Sequence, residues 1–143
     1  MFIGQFDYRI DEKGRVPIPP KFRTEELKKE GVVLCPGFEK YIAIYTLPEW
    51  NKLSDLLTSS NITPSKMRIL NRSIFSNAFT AETDSQGRIV IPPYLRQYAD
   101  IGDEVVIAGV KTHMEMWNKQ LWNAQMADHM EEARLIMDTI ERR

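Results

Sequence analysis

Apolar and polar residues alternate from Phe6 onward: Phe6, Tyr8 and Ile10 are apolar, with Asp7, Arg9 and Asp11 between and after them. Past a short break Val16 and Ile18 resume the apolar parity, while Arg15 and Pro17 take the opposite one. A period of two marks strands with one buried face, so this stretch predicts a hairpin. In its turn, Asp11 offers a short carboxylate to backbone N–H groups and Gly14 reaches φ > 0 without a Cβ clash. Pro17 has no ladder donor, which puts its strand at an edge or at a gap in pairing. The phrase "DEKGRVPIPP" at 11–20 returns as "DSQGRIVIPP" at 84–93, with Asp84, Gly87 and Arg88 in the places of Asp11, Gly14 and Arg15. Val90 stands where Pro17 does, so proline is optional there.

Each copy then continues in the same order. Pro20 and Pro93 sit where a helix begins, at a position whose N–H has no partner anyway. Phe22 and Leu27 mark the buried side of a first short helix ended by Gly31; Tyr94, Leu95, Tyr98 and Ile101 mark a second, ended by Gly102. Apolar strands follow, "VVLC" with "YIAIY" and "EVVIAGV" with "MEMW". Three longer helices complete the pattern. One starts at a Thr46/Glu49 capping box and carries Trp50, Leu53, Leu56 and Leu57 on one side. Another opens at Thr63 and Pro64 and turns Met67, Leu70, Ile74 and Ala78 inward. The last runs from about Asn118 to the chain end, with Trp122, Met126, Met130, Ala133, Met137 and Ile140 spaced by three and four. Such a stripe serves either packing within the chain or a seam between subunits.

An offset of 73 pairs Asp11 with Asp84, Gly14 with Gly87, Arg15 with Arg88, Ile18 with Ile91 and Arg23 with Arg96. Val32 and Val33 fall on Val105 and Val106, and after a one-residue gap Trp50 meets Trp122. Two units are therefore expected, at 5–47 and 76–119, with helices at 48–75 and 120–143. Two copies are too few for a solenoid, and four short strands bury little core alone. The expected fold is mainly β with added α-helices, its two repeats interleaved in one pseudo-two-fold barrel.

Composition narrows the chemistry. The chain has 143 residues, 43% hydrophobic and 27% charged, the balance of a soluble globular domain. No apolar run approaches the ~20 residues of a membrane span, and "MFIGQFDYRI" lacks a basic region and long apolar core, so a cytosolic protein is expected. Cys35 is the single cysteine, which excludes an internal disulfide framework, and its apolar strand makes it a small core residue. His113 and His129 are a poor metal set, and no cofactor or small-molecule substrate is expected. A net charge of −1 argues against coating nucleic acid by bulk charge. Charge is uneven, however: residues 1–80 hold 12 basic against 9 acidic side chains, a balance of +3, and residues 81–143 hold 7 against 11, a balance of −4. Arg9, Lys13, Arg15, Lys21 and Arg23 concentrate between positions 8 and 23, against Asp11 and Glu12.

Asp11 and Arg15 admit two readings. One is a local ion pair closing a turn, worth ~0–1 kcal/mol at a surface. The other is recognition of nucleic acid, because a planar guanidinium grips guanine O6 and N7, or a phosphate, with two bonds at once. Repetition favours the second: fold economy explains the turn glycine and the prolines, but not an outward arginine written twice. The aspartate would hold the arginine in one rotamer and limit the entropy lost on binding. Arg68 and Arg72, four apart, fit a solvated helix face or phosphate contacts, and His113 fits a pH-sensitive contact or a strand edge.

"MFIGQFDYRIDEKGRVPIPPKFR" and "ETDSQGRIVIPPYLR" together resemble the MraZ family, bacterial regulators with two AbrB-like (SpoVT-AbrB) swapped-hairpin units per chain. The resemblance spans essentially the whole chain. It implies an AbrB-like double-split β-barrel with added helices and a ring-shaped homo-oligomer. It also implies a cytoplasmic, nucleoid-associated protein that binds short repeated double-stranded DNA elements upstream of the division and cell-wall gene cluster. Asp11, Arg15, Asp84 and Arg88 are its implied DNA-facing signature, and Lys13, Arg9, Lys21 and Arg23 supply neighbouring positive charge. Two rivals remain. An enzyme would need a Ser/His/Asp order, a phosphate-cradling glycine loop or a ligand cluster, and none is written here. An antitoxin would carry a disordered toxin-wrapping tail, whereas this C-terminal segment is helix-patterned.

Overall fold

A computed structural model describes residues 1–142. Eight strands form: β1 (Phe2–Arg9), β2 (Arg15–Pro17), β3 (Val32–Pro36), β4 (Ile42–Thr46), β5 (Phe79–Ala81), β6 (Arg88–Val90), β7 (Glu104–Lys111) and β8 (Met114–Asn118). Five α-helices accompany them: α1 (Glu25–Glu30), α2 (Leu47–Ser59), α3 (Pro64–Leu70), α4 (Pro93–Tyr98) and α5 (Lys119–Glu141). A 3-10 turn at Pro20–Phe22 precedes α1, and a π turn at Asn71–Phe75 continues α3.

Six strands make one antiparallel sheet in the order β1-β7-β8-β4-β3-β5, and β2 pairs with β6 in a separate ribbon. Exchanging the two copies turns this order into itself read backwards. Each copy lends its first strand to the other: β1 of the first pairs with β7 of the second, and β5 of the second with β3 of the first. The expected hairpin of β1 with β2 does not form. Its turn does, closed by Gly14 N donating to Asp11 O (2.9 Å) and Asp11 N to Arg15 O (3.1 Å), but the strands then separate to partners in the other copy. Alternation along one strand fixes which face is buried, not which neighbour it meets, and a partner of equal patterning was available in the repeat.

Burial follows the alternation. Val16, Ile18, Ile89 and Ile91 of the ribbon pack onto the inner face of the sheet, against Leu34, Ile42, Ile44, Ile107, Met114 and Met116. Phe22, Leu27, Leu95 and Ala99 join the same core. Phe22 meets Phe2 and Phe6 edge to face, with ring centroids 5.1 and 5.3 Å apart. On the outer face a smaller cluster gathers Val106, Ala108, Trp117 and Trp122, with Tyr41 stacked on Trp117. The strand pairs β3–β4 and β7–β8 are those the sequence predicts.

Helix limits depart in detail. The first short helix is split: Pro20 opens the 3-10 turn, and Thr24 caps α1 by accepting from Leu27 N at 3.2 Å. Pro93 opens α4 as expected, but the helix stops at Ala99, with Asp100 at φ 52, before reaching Gly102; Tyr94 is exposed. Thr46 precedes α2 without using its hydroxyl as a cap, and Glu49 bonds Lys52 at 3.1 Å instead. Leu56 faces solvent, leaving Leu53 and Leu57 half-buried. Along α5, Trp122 is buried and Met126 half-buried, whereas Met130, Met137 and Ile140 are exposed. The expected end of this helix at residue 143 lies outside the described residues.

The turns lock the copies together. Gly14 O accepts from Ile91 N at 2.8 Å and Gly87 O from Ile18 N at 2.9 Å, so each turn backbone bonds the other copy's strand. Gly14 and Gly87 adopt φ +78° and +77°, where an L side chain is strained, and a Cβ on Gly87 would run into the Arg23 side chain. Gly102 has open space around it and no positive φ. Gly87→Ala is therefore expected to destabilise the chain by about 1–3 kcal/mol, while Gly102→Ala stays within about 0.5 kcal/mol, as read from urea unfolding midpoints.

Candidate nucleic-acid interface

The ribbon presents its charged chemistry on one side. In its register Arg15 faces Val90, Val16 faces Ile89 and Pro17 faces Arg88. Val16 and Ile89 point into the core, so Arg15, Pro17, Arg88 and Val90 share the outward face. The bonds from Ile18 N and Ile91 N make 18 with 87 and 14 with 91 hydrogen-bonded pairs. By alternation, Arg15 with Val90 and Pro17 with Arg88 are non-hydrogen-bonded pairs, whose side chains lie closest across a ladder. That explains Pro17: its place in the ribbon asks for no cross-strand donor. The two arginines are diagonal neighbours, about 7–8 Å apart or less.

Each arginine is held from its own turn. Asp11 Oδ1 accepts from Lys13 N (2.9 Å) and Arg15 N (2.8 Å), and Oδ2 accepts from Arg15 Nε at 2.6 Å. Asp84 repeats the arrangement: Oδ1 accepts from Gln86 N and Arg88 N, both at 2.9 Å, and Oδ2 from Arg88 Nε at 2.9 Å. Among the described residues the terminal amino groups of both guanidiniums make no further bond. The arginine side chains are 33% and 27% exposed, enough to be oriented by the turn and still reach outward. The Arg15 backbone N–H, followed by its guanidinium and by Lys13 N–H, holds the Asp11 carboxyl below the usual aspartate value of 3.8. Arg88 N–H does the same for Asp84.

The other expected site residues divide. Lys13 is exposed at the first turn and Lys21 on the 3-10 turn. Arg9 is drawn to the end of β1, where its Nη2 meets Glu104 Oε1 at 3.3 Å. Arg23 is partly engaged within the fold. Its Nε donates to Ile18 O at 2.7 Å and its side chain lies over Gly87 of the second turn. Arg96, its counterpart in the repeat, lies over Gly14 at 3.2 Å from where a Cβ would stand, with a buried Nε that has no partner. Sequence reasoning left Arg96 out of the site although the offset of 73 pairs it with Arg23. Val90 and Pro17 were read only as strand residues. Their outward parity was the available signal.

Elsewhere, Arg68 and Arg72 are exposed on α3 and the π turn. Cys35 is buried, and desolvation pushes its thiol up to about 11. His113 stacks on Tyr45 at 4.5 Å, and burial lowers its pKa against a raising influence of Glu49. Glu115 accepts from Trp117 Nε1 at 2.9 Å, and burial raises its pKa. Among the described residues no helix is long and apolar enough to cross a membrane.

The family model described as "MraZ protein, putative antitoxin-like" matches residues 1–72 and 74–139. The chain belongs to the MraZ family. The two matched stretches begin 73 positions apart, the offset of the internal repeat. MraZ relatives share most of their length with it. A protein of Dehalococcoides mccartyi named transcriptional regulator MraZ is 45% identical over 142 residues, 99% of each chain. Those of Herpetosiphon aurantiacus and Dictyoglomus thermophilum, named alike, are 38% and 43% identical, covering 93% and 85% of this chain and 92% and 82% of their own.

The lowered aspartate pKa values set a pH dependence. A carboxyl whose folded pKa lies below its unfolded value stabilises the fold fully above the unfolded value, and that contribution is lost as pH falls through the folded one. Stability from Asp11 and Asp84 is thus complete above 3.8 and disappears below it. An Asp11→Asn/Asp84→Asn variant is expected to show a shallower loss of stability below about pH 4 than the native chain, measured by urea unfolding at each pH.

Proposed function

We propose that this MraZ-family chain is a sequence-specific, double-stranded DNA-binding regulator; its relatives are named transcriptional regulators. The observation that supports the reading is the outward ribbon face, which carries Arg15 and Arg88, each gripped at Nε by its own turn aspartate. A two-stranded ribbon fits the major groove, and arginine reaches guanine O6 and N7 there with two bonds. Lys13 and Lys21 add attraction to the phosphates. Exchange of β1 and β5 between the copies supports assigning the barrel to the AbrB-like double-split kind, with units at 5–47 and 76–119.

One such face on a chain of net charge −1 binds weakly. Several faces on a ring-shaped homo-oligomer bind together, because each engaged face raises the effective concentration of the next. The exposed Met130, Leu135, Ile136, Met137 and Ile140 of α5 support such assembly, since a soluble monomer rarely leaves so long an apolar stretch in water. Repeated promoter elements of the division and cell-wall gene cluster, the targets implied by the family resemblance, match that geometry. The protein is accordingly cytoplasmic and nucleoid-associated.

Titration of that promoter DNA at fixed salt tests the reading. Arg15→Ala and Arg88→Ala each lower affinity by about ten-fold or more, the worth of a bidentate base contact. The loss is larger for Arg15→Ala, because Lys13 and Lys21 flank it where Gln86 and Tyr94 stand in the second copy. Unchanged affinity in the double variant, with the fold intact by circular dichroism, refutes DNA reading by this face.

A further inference from the structure

Val90 is 52% exposed, an apolar β-branched side chain on the outward face that carries Arg15 and Arg88. It stands opposite Arg15 in a non-hydrogen-bonded pair, with Arg88 two residues before it on the same strand and the same side. Its counterpart Pro17 is less exposed, so the two halves of the ribbon present different surfaces between their arginines. A strand position open to water gains nothing in packing from an apolar residue, and threonine or lysine would suit it as well.

We propose that Val90 is a specificity-determining residue that packs on the C5-methyl group of a thymine beside the base gripped by Arg15. The inference rests on the reading of the ribbon as a major-groove element. Among the groups that base edges show in that groove, the thymine methyl is the apolar one, and donors and acceptors make up the rest. Val90 has neither to offer and matches the methyl alone. Spacing agrees: side chains facing each other across the ladder are about 4.5–5.5 Å apart, and bases rise by about 3.4 Å, so Val90 falls one or two steps from the base under Arg15. A β-branched side chain is stiff at χ1, so little rotamer freedom is lost when it docks.

The test keeps the native protein and alters the DNA first. In the promoter element bound by the protein, each thymine is replaced in turn by deoxyuridine, which removes only the methyl group, and affinity is measured at fixed salt. One position is expected to lose about fourfold, the change that burial of one methyl brings. Val90→Ala is expected to bind the unmodified element about fourfold more weakly and to show no further loss at that position. Val90→Thr, which keeps a methyl, retains the thymine preference. If no thymine responds, or if Val90→Ala keeps the full deoxyuridine penalty, the assignment of Val90 is overturned while the arginine reading stands. If Arg15→Ala/Arg88→Ala binds as the native chain does, the ribbon reading itself falls, whatever the thymines show.

Discussion

The fold depends on an exchange of two backbone hydrogen bonds, Ile91 N to Gly14 O and Ile18 N to Gly87 O, made at the two turn glycines. These bonds fix the three-residue pairing of β2 with β6, and that pairing drives Val16 and Ile89 into the core while turning Arg15 and Arg88 outward. Left-handed glycine backbone permits the approach, and an arginine from the other copy lies over each turn. Neither copy completes its half of the sheet by itself. Its first strand's partner, its ribbon partner and the arginine over its turn all come from the other.

The candidate site follows from the same contacts. Each aspartate spends one oxygen on the backbone of its own turn and the other on the guanidinium beyond it. The turn therefore shapes the chain and aims the arginine with a single side chain. As isolated surface pairs these would be worth little to stability. Their weight lies in orientation, because a guanidinium already held in place loses less freedom when it meets a rigid edge of acceptors.

Much of this was legible in the sequence, for identifiable reasons. The alternation of Phe6, Tyr8, Val16 and Ile18 gave the strands and their buried faces, and the prolines at 20 and 93 marked the helix starts. The doubled phrase gave the pseudo-symmetry and the arginines. The partners of β1 and β5 were not legible, because a period of two suits either copy. The bond from Arg23 to Ile18 O was not legible, because the two groups meet only once the chain has folded back on itself. The outer half of α5 left packing and a subunit seam both open, because a spacing of three and four is the same whether a helix packs on its own chain or on another.

The duplication has a consequence for how the ribbon face responds to dilution. A face built from two separate identical chains would fall apart as the protein becomes scarce, and its halves would be bound to stay alike. Here β2 and β6 are joined through the chain between them, so the face persists in a lone protomer at any abundance. Its two halves are also free to diverge, as Pro17 and Val90 already have.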